Sequence, residues 1–197
     1  AFRLGENIAV TPGKVVFETP LFQLIQYTPT TGKVMATPLV IFPPWINRFY
    51  ILDLSPQKSF IKWATEQGYT VFVVSWVNPD TRLAEKGFED YMLEGPYAAL
   101  DAIEKATGEK SVNAIGYCLG GTLLSATLAH MAAKKDTRIK SATFFTTLTD
   151  FSDQGEVGVF LNDDFVDGIE RQVAVDGVLD KAFMARTFSF LRSNELI

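Results

Sequence analysis

One cysteine and one histidine among 197 residues leave several kinds of chemistry without material. A lone Cys118 cannot close an internal disulfide, and no cysteine–histidine cluster has the spacing of a zinc site. Neither a metal nor a bound cofactor is expected, and a reducing cytoplasm suits the chain. Long apolar runs are missing too. No stretch approaches ~18 uninterrupted apolar residues, and Ala1–Val10 carries Arg3 and Glu6 without a signal-peptide core. Neither a transmembrane segment nor an export signal is expected. Basic residues are in deficit, 18 Lys and Arg against 23 Asp and Glu, so there is no basic stripe to hold nucleic acid.

What is present is apolar. Hydrophobic residues make up 47% of the chain, aromatics 13%, and mean hydropathy is +0.11, which excludes a disordered chain and fits one well-packed domain. The charge deficit is local. Residues 1–150 hold 14 basic and 14 acidic side chains, whereas 151–197 hold 4 and 9. This break predicts a core over 1–150 and a separate element, the start of a cap or lid, over 151–197. Within that element, glycines and an irregular pattern suggest mobility, with a helix about Lys181–Leu191.

Periodicity places the elements of the core. Lys14–Tyr27, broken at Thr19-Pro20, reads as two antiparallel edge strands. Pro38–Phe42 and Thr70–Trp76 are unalternating apolar runs of the kind buried on both faces of a parallel sheet. Ser55-Pro56 would open a helix that Gly68 closes, and Phe88–Thr107 reads as a helix that Gly95-Pro96 must kink or split. Ser111–Tyr117, Leu119–Ala133 and Lys140–Leu148 add strand, helix and strand. Such alternation requires right-handed crossovers and a mostly parallel sheet with helices on both faces.

Gly116-Tyr117-Cys118-Leu119-Gly120-Gly121 falls where a strand turns into an apolar helix. It fits the nucleophile elbow of the α/β-hydrolase fold, G-x-nucleophile-x-G, with cysteine in place of serine. Gly116 and Gly120 supply the lack of bulk that the tight strand–helix contact needs. The helix starting at Leu119 would favour negative charge on the sulfur through its dipole and free N–H groups. An isolated cysteine is most often a small buried hydrophobe; the flanking glycines argue for a nucleophile. The loop Pro43-Pro44-Trp45-Ile46-Asn47 stands where this fold completes its oxyanion hole, so the backbone N–H groups of Ile46 and Leu119 are candidate donors. Taken alone that loop is a rigid double-proline turn; its position relative to Cys118 gives it interest. His130 cannot be the base, being 12 residues along the same helix, ~18 Å away at ~1.5 Å per residue. Asp150 is a weak candidate for a triad acid. With no histidine after His130, this sequence cannot complete a triad, and the triad Asp and His are expected to be absent from it. The elbow alone also admits a cysteine hydrolase of esters or thioesters, or a non-catalytic binding segment.

The stretches FPPWINRFYILDL (Phe42–Leu54), VSWVNPD (Val74–Asp80), NAIGYCLGGTLL (Asn113–Leu124) and TTLTDF (Thr146–Phe151) resemble the poly(3-hydroxyalkanoate) synthases, above all the single-component class I enzymes. RTFSFLRSNELI (Arg186–Ile197) is similar to that family's cap region. The resemblance implies an acyltransferase that polymerises 3-hydroxyacyl-CoA, short-chain substrates such as 3-hydroxybutyryl-CoA included, through an acyl thioester on Cys118, releasing CoA. It implies that the missing Asp and His belong to strands after the cap, so that these residues alone would be inactive. It also implies the growing polyester, a second copy in a homodimer and the polymer granule surface as partners.

Overall fold

A computed structural model of the protein describes residues 2–153, 155, 158 and 162–179. The chain divides into two units, Ala1–Asn78 with Gly87–Thr149, and Pro79–Lys86 with Asp150–Ile197. The expected helix about Lys181–Leu191 lies outside the described residues.

The first unit is built on six strands: β1 (Gly13–Glu18), β2 (Phe22–Tyr27), β3 (Leu39–Phe42), β6 (Val71–Trp76), β7 (Val112–Tyr117) and β8 (Ile139–Phe145). Their order across the sheet is β1-β2-β6-β3-β7-β8. β3 lies between β6 and β7, parallel to both, with Ile41 opposite Val73 and Phe42 opposite Gly116. All four residues of β3 are buried, as an unalternating LVIF run in a covered parallel sheet must be. Of the two expected edge strands only β1 lies at the edge. β2 pairs antiparallel with β1 on one side and β6 on the other, and its Phe22, Leu24 and Tyr27 are buried. The turn between them is fixed by Thr19, whose Oγ1 accepts from the N–H groups of Leu21 and Phe22.

Helix α1 (Phe60–Glu66) starts later than Ser55-Pro56 suggests. Ser55 and Lys58 instead belong to a small antiparallel pair, β4 (Asp53–Ser55) with β5 (Lys58–Ser59), whose turn holds Pro56. The cap is Ser59, whose Oγ accepts the N–H of Lys62 at 2.9 Å. Ile61 and Ala64 of α1 join Leu39, Ile41, Val71, Val73 and Ile115 in one core layer. The alternate residues of β3 and β7 turn the other way, towards α4 (Leu119–Ala133). The helix over Phe88–Thr107 is split at Gly95-Pro96, as expected, into α2 (Phe88–Met92) and α3 (Ala98–Thr107), joined by wider π-type turns over Leu93–Tyr97. Pro96 has no N–H for regular pairing there. β8 ends at Phe145, three residues short of Leu148, because Thr146 takes a positive φ of 43° that leaves the strand.

In the second unit, α5 (Asp163–Asp176) is capped by Asn162, which accepts from Phe165, and is ended by Gly177 at φ 73°.

Candidate active site

Cys118 stands between β7 and α4 with φ 51° and ψ −124°, half-buried. Its neighbours hold it there. Its N–H donates to the Phe145 carbonyl at 2.9 Å, and its own carbonyl accepts the N–H groups of Gly121 and Thr122 at 2.9 and 3.2 Å. Both backbone groups of the residue are therefore committed, one to the adjacent strand and one to the helix. A positive φ on a non-glycine residue persists only where surrounding structure over-determines it in this way.

The glycines around it are required by contact rather than by flexibility. A methyl group on Gly116 would collide with Gly121, and one on Gly120 would collide with the Phe42 carbonyl and lie 2.7 Å from the Pro43 carbonyl carbon. Helix α4 thus begins directly against the end of β3 and the loop that follows it. Leu119, as the first residue of α4, carries one of the N–H groups a helix cannot pair internally. Ile46 sits at the centre of the Pro44–Asn47 turn, closed by the Asn47 N–H donating to the Pro44 carbonyl at 3.2 Å. Cys118, Leu119, Gly116, Gly120 and the loop bearing Ile46 accordingly meet at the carboxyl ends of β3 and β7, the place where open parallel sheets form their sites.

Gly121 was not singled out in the sequence. A methyl there would collide with the Thr147 side chain. Thr147 Oγ1 donates to the Phe145 carbonyl at 3.1 Å, and Thr122 Oγ1 to the Leu148 carbonyl at 2.7 Å, so the segment after β8 is clamped to the first turn of α4. Only the second glycine of the Gly-Gly pair hinted at this.

His130 is occupied elsewhere. Its Nδ1 shares a hydrogen bond with the Tyr97 hydroxyl at 2.8 Å, and the two rings meet edge to face. Arg138 lies over Tyr97 and pairs with Asp101 and Asp136, holding the Asp136 carboxyl below the usual range chiefly through its hydrogen bonds. Asp150 belongs to the second unit, where the Ser152 N–H donates to its carboxylate at 2.9 Å and keeps it below the ordinary carboxylate range. Among the described residues no group of His, Cys, Asp and Glu could hold a metal, and no helix is long and apolar enough to cross a membrane.

A family model described as the alpha/beta hydrolase fold matches residues 37–194, and one described as the Poly-beta-hydroxybutyrate polymerase (PhaC) N-terminus matches residues 1–64. A poly(3-hydroxyalkanoate) polymerase subunit of Rhizobium meliloti is 56% identical over all of this chain and 32% of its own length. The poly(3-hydroxyalkanoate) polymerase of Methylorubrum extorquens is 55% identical over all of this chain and 33% of its own. The Cupriavidus necator subunit is 43% identical over the whole chain and 34% of its own. The chain therefore spans about a third of the length of these relatives. Among solved structures, one of the fungal esterases from Rhizomucor miehei superposes with a TM-score of 0.51 at 15% identity, covering 90% of this chain and 52% of that one, a likeness of fold.

Proposed function

Since the chain belongs to the poly(3-hydroxyalkanoate) polymerase family of the α/β-hydrolase fold, we propose that it carries the nucleophile of such a polymerase. The carrying observation is the backbone of Cys118, held at positive φ between a buried parallel strand and a helix whose glycines admit no side chain.

In the proposed reaction Cys118 Sγ attacks the carbonyl carbon of a 3-hydroxyacyl-CoA, short-chain substrates such as 3-hydroxybutyryl-CoA included. A carbon–sulfur bond forms to Cys118, the one to CoA breaks, and CoA leaves. The N–H groups of Ile46 and Leu119 receive the oxygen charge that develops on the way. One thioester replaces another of similar energy, so the acyl group stays activated. A chain-end hydroxyl then attacks it, the oxoester forms, and Cys118 is released. No cofactor is needed, because the CoA thioester is itself the substrate.

The second step must give up the hydroxyl proton, and no histidine among the described residues is placed to take it. His130 is ~18 Å of helix from Cys118, bound to Tyr97. The triad Asp and His are proposed to come from residues outside these 197, and 151–197 to begin a cap. A cytoplasmic setting at the polymer granule surface and a homodimer complete the reading.

The test uses this chain beside a polymerase spanning the relatives' full length and containing it. The chain alone should alkylate at Cys118 with iodoacetamide and accept one acyl group from 3-hydroxybutyryl-CoA, yet make no polymer. The longer protein should make polymer, and its Cys118→Ala variant none. Polymer from that variant would overturn the reading, and free hydroxy acid in place of polymer would make the protein a thioester hydrolase.

A further inference from the structure

The loop that carries Ile46 is held at two points by side chains outside it. At its start, Trp76 Nε1 donates to the Pro43 carbonyl oxygen at 2.7 Å. At its turn, the Trp45 ring stands edge to face on Trp76 and Phe88, with centroids 6.4 and 6.2 Å away, and leans on Tyr91 at 5.4 Å. Trp76 is itself braced by Phe22 at 5.9 Å and Tyr91 at 5.6 Å. Its six-membered ring reaches into the break between α2 and α3, where a methyl group on Gly95 would lie 2.7 Å from Cη2. The glycine and the wide turns there make room for the indole.

We infer that Trp76 is a positioning residue for acyl transfer at Cys118: its indole N–H fixes Pro43, so that the following turn presents the Ile46 N–H to the oxygen of the tetrahedral intermediate. The inference rests on the proposed reading of Cys118 and Ile46. Trp76 ends β6, the neighbour of β3 in the sheet, so it reaches past the end of β3 to the first residue of the loop. Pro43 is also the residue against which Gly120 packs, so the same carbonyl group faces Trp76 on one side and the start of α4 on the other. An oxyanion donor acts only when it is aimed in advance, and misplacement by ~1 Å can cost on the order of 10²-fold in rate.

Two reactions of the same sulfur separate positioning from packing. Alkylation by iodoacetamide displaces iodide from a saturated carbon and develops no oxyanion. Acylation by 3-hydroxybutyryl-CoA passes through a tetrahedral oxyanion, forms the Sγ–acyl bond, breaks the thioester carbon–sulfur bond and releases CoA. Both rates are to be measured on the 197-residue chain by intact mass in a single turnover. Replacing Trp76 with benzothienylalanine keeps the bicyclic ring and puts sulfur where the N–H was. Acylation should fall about tenfold or more, with alkylation unchanged. Trp76→Phe should show the same split, and Gly95→Ala, which pushes the indole without removing its N–H, a smaller one. Equal acylation in the wild type and the benzothienylalanine variant would overturn the inference. So would parallel falls in both rates, which signify a structural role alone, and so would a wild-type chain that alkylates but never acylates. An acyl adduct surviving in Cys118→Ala would instead sink the nucleophile assignment, whatever Trp76 does.

Discussion

At Cys118 a backbone conformation that costs a non-glycine residue about 1–3 kcal/mol is held by three hydrogen bonds and by glycines with no room for a methyl group. This much was legible in the sequence, since Gly-x-Cys-x-Gly at a strand-to-helix junction has few other physical explanations. The groups that act on the loop opposite were not. Trp76 looks like the last residue of a buried strand, and nothing in a linear pattern shows its N–H reaching Pro43, 33 positions earlier. Tyr27 is 3% exposed, and its hydroxyl has no hydrogen-bond partner among the described residues. Burial first, and the Asp53 charge second, push its phenol well above the ordinary tyrosine range. A raised native value gives stability that is complete below the unfolded value near 10 and is lost as pH rises towards the native one. The stability of the wild type relative to Tyr27→Phe should therefore be constant below pH ~9 and then fall by up to ~1.4 kcal/mol per pH unit. Urea unfolding of the pair from pH 7 to 11 checks this. A constant difference throughout would mean that Tyr27 ionises as easily in the fold as out of it.

Helix α1 shows how an element can be right in kind and displaced in place. Ser55-Pro56 has the composition of a helix start, yet Ser55 Oγ accepts the Lys58 N–H at 3.2 Å and closes the β4–β5 turn. Ser59 performs the capping four residues later. Both serines satisfy the same local rule, and the choice between them is made by Asp53. Its buried carboxylate accepts from Thr11 Oγ1 at 2.6 Å and fixes the chain before the turn. Such a partner, 42 residues away in sequence, is invisible to periodicity. Ser59→Ala should lower stability by ~1 kcal/mol, and Ser55→Ala by less, in chemical denaturation. The opposite order would return the cap to Ser55. The parallel strands β3, β6 and β7 were easier to read, because burial on both faces leaves an unbroken apolar run. β2 was harder, since alternation in FQLIQY does not tell an edge from a second position.

Across the whole molecule, the sheet is covered unevenly. β8 has a neighbour on one side only among the described residues, none of its residues is buried, and Phe144 is 42% exposed. An open strand edge with exposed aromatic groups is a template for pairing between copies. The 197-residue chain should therefore self-associate with rising concentration in sedimentation velocity. Phe144→Lys should suppress this without lowering the melting temperature; unchanged association would move the contact elsewhere. The tryptophans are distributed just as unevenly. Trp63 is half exposed on α1, its ring tilted against Phe60, whereas Trp45 and Trp76 form an edge-to-face pair at the loop beside Cys118. Iodide in solution will preferentially quench Trp63, leaving emission dominated by the other two indoles. Their close approach should also give an exciton couplet in near-ultraviolet circular dichroism. The loop thus carries its own optical signature, and its position can be followed by light without attaching a label.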